Sequence, residues 1–191
     1  MEIPHIICCG ILETEVRRIL SEDYPGLDAV FCNSILHMKP ESLQGVLNEK
    51  IKPGYHNILL YGDCAPHISD LEKQPDFHRP PVVNCIEMLL GPDLYRSLRR
   101  DRAFFMMHEW SHRWREIFID EMGFSSEKQA GIFLRENCSR IIYLDTGSVE
   151  IPHDIIEDIS TAFEISVEIE SVSLDTLRSY IKNIISETGY C

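Results

Sequence analysis

The sequence predicts an α/β fold: a mostly parallel sheet flanked by helices, Rossmann-like and doubly wound, in three layers, with residues 1–191 forming one domain. Two observations predict it. Short apolar runs alternate with amphipathic stretches along the whole length, as βαβ units require, and no repeat, low-complexity tract or linker interrupts them. The 191 residues, 44% hydrophobic and 26% charged, also match one ordinary globular core.

The elements follow in order. His5–Gly10 is the first strand, and the next helix begins near Glu13 with Val16, Ile19 and Leu20 at helical spacing. Leu27–Phe31 is the second strand. The pair Pro40-Glu41 opens another helix, because proline and acids suit a first turn. Asn57–Tyr61 reads as a central, strongly apolar strand. After a loop rich in Pro and His (Gln74–Pro81), Val82–Val83 is expected as a brief fourth strand running into a helix Ile86–Leu98. Ala103–Met107 is the fifth strand, Trp110–Met122 and Glu127–Asn137 are helices separated by Gly123, and Arg140–Leu144 is the sixth strand. Pro152–Phe163, Ser166–Glu170 and Leu174–Ser186 complete the pattern as helix, strand and helix.

Charge and composition narrow the function. With 31 acidic and 18 basic residues the net charge is −13, which repels phosphate backbones and anionic lipid, so nucleic acid and membrane are excluded as expected partners. No apolar run is long enough to span a bilayer, and the start lacks the basic region and cleavage site of a signal peptide, so a cytoplasmic protein is expected. Seven dispersed cysteines then read as reduced thiols rather than as a disulfide framework.

Open α/β sheets bind ligands beyond the carboxyl ends of their strands. The residues there are Cys9-Gly10, Cys32-Asn33, Gly62-Asp63-Cys64, Asn84-Cys85, His108-Glu109-Trp110 and Asp145-Thr146-Gly147. Cys9, Cys64 and Cys85 each sit where a strand gives way to a loop or helix, and the first, third and fourth strands are commonly neighbours, so the three thiols could share a metal ion. His67, three residues after Cys64, or His108 could add a nitrogen. A helix behind Cys85 is expected to lower its pKa. Against this stands the ordinary role of cysteine as a small buried hydrophobe, the reading given to Cys8, Cys32 and Cys138; Cys191 is taken as incidental.

His108-Glu109-Trp110-Ser111-His112 matches the HExxH pattern, in which two histidines one helical turn apart hold zinc and the glutamate activates water. The match is discounted: His108 directly follows a strand, so the required i, i+4 geometry is not expected, and five-residue patterns recur by chance. Asp145-Thr146-Gly147 is either a ligand-orienting group or a tight turn. Trp110 and Trp114, on one helical face, are read first as core and second as an aromatic wall. Arg96, Arg99, Arg100 and Arg102 form a basic cluster, read as a solvated helix end. No GxGxxG follows the first strand and no P-loop is present.

Leu36-His37-Met38-Lys39-Pro40-Glu41-Ser42-Leu43, Tyr61-Gly62-Asp63-Cys64, Asn84-Cys85-Ile86-Glu87-Met88-Leu89-Leu90-Gly91, Trp110 with Trp114, and Tyr143-Leu144-Asp145-Thr146-Gly147 together resemble the domain-of-unknown-function 1638 family, from about Ile6 to the last strand. The resemblance implies a small α/β protein of anaerobic bacteria and methanogens, encoded near corrinoid-dependent methyltransferase systems. It supports Cys9, Cys64 and Cys85 as recurrent cysteines, and Asp145 and Gly147 within a terminal strand motif. The family commonly has Pro-Gly where this chain has His108-Glu109, and a histidine-containing approach where it has Val83-Asn84.

These readings converge on a thiolate-rich metal site serving corrinoid-linked one-carbon metabolism. Its metal ligands are Cys9, Cys64 and Cys85 with His108 or His67, and Asp63, Asn84, Trp110, Asp145, Thr146 and Gly147 are ligand-binding candidates. Zinc is the first metal, an iron–sulfur cluster or corrinoid the alternative cofactors, and a corrinoid protein or methyltransferase the expected partner. The other readings are a non-catalytic corrinoid or small-ligand binding module and an HExxH zinc hydrolase. Whether the chain is an enzyme stays open.

Overall fold

In the computed structural model, which describes residues 3–190, the strands pair only in parallel, in two sheets of order β2-β1-β3-β4 and β5-β6-β7. The chain divides into two compact units, Met1–Pro92 with Leu174–Cys191, and Asp93–Ser173. Cys191 itself lies outside the described residues. Among these, no helix is long and apolar enough to cross a membrane.

The first unit contains β1 (His5–Cys9), α1 (Glu13–Asp23), β2 (Ala29–Cys32), α2 (Pro40–Lys50), β3 (Asn57–Leu60), α3 (Ile68–Leu71), β4 (Phe77–His78), α4 (Cys85–Leu90) and α9 (Asp175–Glu187). The chain steps from β1 outward to β2, then crosses back over β1 to β3. Right-handed crossovers in opposite directions place α1 and α2 on opposite faces. That arrangement buries every residue of β1 and β3 on both sides, as in a three-layer doubly wound sheet. The reversal of direction between β1 and β3 is the topological switch point, where the loops diverge and leave a crevice.

Two expectations fail here. The fourth strand is Phe77–His78, inside the segment read as a loop, and pairs Asn57 with Phe77 and Ile58 with His78. Val82–Val83 joins no sheet: Val83 N–H donates to Glu87 Oε2 at 2.6 Å, and its carbonyl accepts from Asp63 N–H at 2.9 Å. The helix expected over Ile86–Leu98 is two helices, α4 and α5 (Pro92–Arg100). Gly91, at φ 78°, closes α4, and Pro92 offers no N–H to continue it.

Gly62 fixes how the loops after β3 and β4 meet. A Cβ there would overlap Asn84 Cα and N and lie 2.5 Å from Val83 C, so only glycine lets the Asn84 backbone close on the end of β3. Asn84 then caps α4, its side chain accepting from Glu87 N–H at 2.9 Å.

The second unit holds β5 (Ala103–Met106), α6 (His108–His112), α7 (Glu127–Asn137), β6 (Arg140–Asp145), α8 (His153–Phe163) and β7 (Val167–Ser171), with α5 leading in. Its sheet runs β5 to β6 to β7 in one direction, so right-handed crossovers put α7 and α8 on one face, where they pack together. The helix expected over Trp110–Met122 breaks at Arg113 and resumes as a π-helical stretch Glu116–Glu121. The break separates the two tryptophans that a continuous helix would align. Trp114 is buried, its ring edge-on to Phe163 at 5.0 Å, while Trp110 is half-buried.

Two substitutions test this packing. Gly62→Ala is expected to destabilise by about 1–3 kcal/mol or more, read from chemical denaturation, because backbone and not a flexible side chain must move. Trp114→Ala removes the ring against Phe163 and is expected to cost about 3–5 kcal/mol; a loss under about 1 kcal/mol would contradict the core role.

Candidate functional site

The site begins with strand ends. Alternation along β1 sends Cys8 and Cys9 to opposite faces, and the β1–β2 register sets Cys9 beside Cys32. Gly10 follows at a second close approach, since a Cβ there would lie 2.8 Å from Cys32 O. β3 ends at Leu60, and the turn Tyr61-Gly62-Asp63-Cys64 carries Cys64 back toward β1, held by Cys64 N–H on Gly62 O at 2.9 Å. Cys85 arrives from the loop seated on Gly62, not from a strand as expected.

These thiols gather around Cys9. Cys85 hydrogen-bonds Cys9, and the charges of Cys9, Cys64 and Cys8 all raise the Cys85 pKa. Cys64, half-buried, and Cys32 each feel Cys9 as well. Cys8, Cys9, Cys32 and Cys85 are buried, with Cys9 5% and Cys85 6% exposed. Tyr61, also buried, donates from its hydroxyl to Cys8 O at 3.4 Å and hydrogen-bonds Cys32.

The electrostatics reverse one expectation. The Cys85 pKa stands well above its ordinary value, because the hydrogen bond with Cys9 and then burial outweigh the helix behind it. Burial, then the Cys9 charge, pushes Cys64 up to about 11, opposed by the Gly62 backbone and Arg79. Burial likewise raises Cys8 and Cys32. At neutral pH these are neutral thiols, weak as nucleophiles. Burial and, at Cys85, the hydrogen bond with Cys9 chiefly hold the protons on, with repulsion between thiolates adding to them, and a cation among the thiols would favour the charged form instead.

Arg79 braces the turn. Its side chain is 9% exposed and its guanidinium meets Asp63 Oδ1 at 2.7 Å, Glu72 and Tyr61 O. Asp63, a ligand-binding candidate, is thus engaged with Arg79, and Asn84 with its own helix cap. The His67 ring is 69% exposed and lies 3.6 Å from Asp70. Arg79, Cys8, Cys32 and Tyr61 were missed as parts of the site. Cys32 carried the same strand-end signal as Cys9, whereas Arg79 sits in a loop whose path no periodicity encodes. Among the described residues no three His, Cys, Asp or Glu side chains stand ready to hold an ion.

The remaining candidates lie in the second unit. His108 and His112 do occupy one helix, with ring centroids 4.4 Å apart, so the discounted i, i+4 geometry exists. His108 Nδ1 lies 3.5 Å from Tyr143 Oη, and burial, then His112, lowers its pKa. Glu109, which a hydrolase would need as its base, is bound to Arg113 Nη1 at 2.7 Å. Asp145 forms the tight turn, its Oδ1 accepting from Gly147 N–H at 2.9 Å with Gly147 at φ 62°, and Thr146 lies between them. Cys138 follows α7, half-buried.

No curated protein matches the chain, and no solved structure does. Residues 31–181 match the family described as "Protein of unknown function (DUF1638)". That span takes in Cys32, Cys64 and Cys85, the whole second unit and part of the first, with Cys9 outside it, and the chain belongs to the DUF1638 family.

Proposed function

We propose that the first unit binds a soft metal ion, zinc first, through Cys9, Cys64 and Cys85, and that this centre serves methyl transfer in corrinoid-linked one-carbon metabolism. The observation that carries the metal reading is the gathering of thiols around Cys9 at the switch point between β1 and β3, where open α/β sheets bind their ligands. Thiolates select zinc, copper(I) or an iron–sulfur cluster over hard cations. Cys64, half-buried on a turn, is the most accessible of the three.

A zinc held by three thiolates keeps a fourth position open. With Cys9, Cys64 and Cys85 as its ligands, zinc would supply Lewis-acid activation of a thiol substrate, the chemistry that methyl transfer needs. The corrinoid setting rests on the family resemblance alone. A non-catalytic small-ligand module is the second reading, favoured by the same crevice and by the absence, among the described residues, of a set already closed on an ion.

Anaerobic purification with elemental analysis and an absorption spectrum separates these readings. Close to one zinc per chain is expected, falling in Cys64→Ser with the fold intact; full metal content in that variant would remove Cys64 from the site. Visible absorption with iron would shift the assignment to a cluster, and a metal-free chain carrying a chromophore to the binding module.

The pH dependence has a definite sign. Each thiol must lose its proton to ligate, so zinc affinity is expected to rise with pH, by up to about tenfold per pH unit for each protonated ligand. For the metal-free chain, a thiol pKa raised from 9 to about 11 at Cys64 contributes stability that is complete below pH 9 and lost as pH climbs toward 11. That loss is roughly 2–3 kcal/mol. Denaturation at pH 8 and 11 measures it, with Cys64→Ser as the variant that should lose less.

A further inference from the structure

At the amino end of the same sheet, far along the strands from the thiols, two histidines meet. His56 immediately precedes β3 and His78 ends β4; the parallel register sets His78 beside Ile58, so His56, two residues earlier and on the same face, reaches it diagonally. His56 Nδ1 and His78 Nε2 are 3.1 Å apart, with ring centroids at 5.3 Å and planes inclined by 46°. The far nitrogen of His78, Nδ1, lies 3.4 Å from Glu187 Oε2 at the end of α9, and the His78 side chain is 12% exposed. Three segments distant in sequence thus converge on one imidazole.

The carboxylate settles the tautomers. Glu187 can only accept, so His78 Nδ1 carries a proton and Nε2 presents a lone pair. The hydrogen on the short contact therefore belongs to His56 Nδ1 when both rings are neutral.

We infer that His56 Nδ1 and His78 Nε2 form a binding site for a divalent transition-metal ion of the zinc or nickel class, with Glu187 as its positioning residue. Two nitrogens on one zinc, each at about 2.0–2.1 Å, stand about 3.0–3.4 Å apart, the spacing the two rings already hold. A ligating histidine that gives its other N–H to a carboxylate is the usual means of fixing ring orientation at a metal, and Glu187 supplies it. His78, mostly buried, is held in place. His56 carries its proton on Nε2 instead of Nδ1 and swings so that the two lone pairs converge on the ion rather than on each other, and the ion enters with no net proton release. Water fills the other positions, because among the described residues no third His, Cys, Asp or Glu completes the set. The site is open and exchangeable, and its chemistry is independent of the thiol centre.

Zinc titrated into the full chain labelled with 15N-histidine, followed by NMR of the imidazole nitrogens, tests the inference residue by residue. His56 Nδ1 and His78 Nε2 are expected to shift together, apart from His5, His37, His67, His108, His112 and His153. His78→Gln should abolish the His56 response while leaving metal held by the cysteines unchanged, and Glu187→Gln should weaken binding by about tenfold or more. His56→Gln, which leaves the buried ring in place, serves if His78→Gln does not fold, and should abolish the His78 response. A His56 shift that survives loss of His78, or zinc that moves only the other histidines, would overturn the site.

Discussion

The close approach of the Asn84 backbone to Gly62 is the contact on which the first unit's carboxyl edge depends. The strand order leaves a crevice between β1 and β3, but order alone brings only Cys9 and Cys64 to it. Cys85 belongs to a helix reached through a proline-rich loop, and it meets Cys9 because that loop folds back over a residue with no side chain. The bond from Asp63 N–H to Val83 O locks the two turns together. Each part is local, yet together they set one thiol against another across 76 residues of chain.

Burial then decides what those thiols can be. A lone buried cysteine is inert packing, and each of these keeps its proton by that rule. What distinguishes the group is that its members raise one another's pKa, with Cys9 common to all. Arg79 works the other way: its buried guanidinium lowers Cys64 while being neutralised by Asp63 and Glu72. A positive charge placed beside the most accessible thiol, and held there by two carboxylates, orders the turn without making the thiol a strong nucleophile. The same carboxylate logic runs through the second unit, where Arg113 forks between Glu109 and Glu116.

Much of the fold was legible because parallel strands buried on both faces write themselves as unbroken apolar runs. β1, β3, β5 and β6 fall within a residue or so of where the pattern put them. β4 was hidden because it is two residues long, on an edge, and amphipathic, so no period exists to detect. The break at Gly91-Pro92 was written plainly and overridden by the helical pattern on either side. His108–His112 failed in the opposite sense: a strand directly before it argued against a helix, yet Met107 in extended backbone turns straight into one. The three cysteines were visible as strand-end residues; the loop closure that joins them, and the buried Arg79 that braces it, arise from tertiary contacts that spacing does not encode. His56, His78 and Glu187 were invisible for the same reason.

The polarity of a parallel sheet explains how one small unit can carry two such different donor sets. β1 begins with His5, whose N–H donates to His56 O at 2.8 Å, and ends with Cys8-Cys9. At about 3.3 Å per residue the two ends of that strand stand about 13 Å apart, too far for one ion to share ligands from both sets. The donors also differ in chemistry: buried sulfur favours a soft ion stripped of its water, whereas two imidazoles without a third protein ligand among the described residues leave an ion part of its hydration. Zinc suits both sets, and it is the strand between them that keeps one ion from drawing on sulfur and imidazole together.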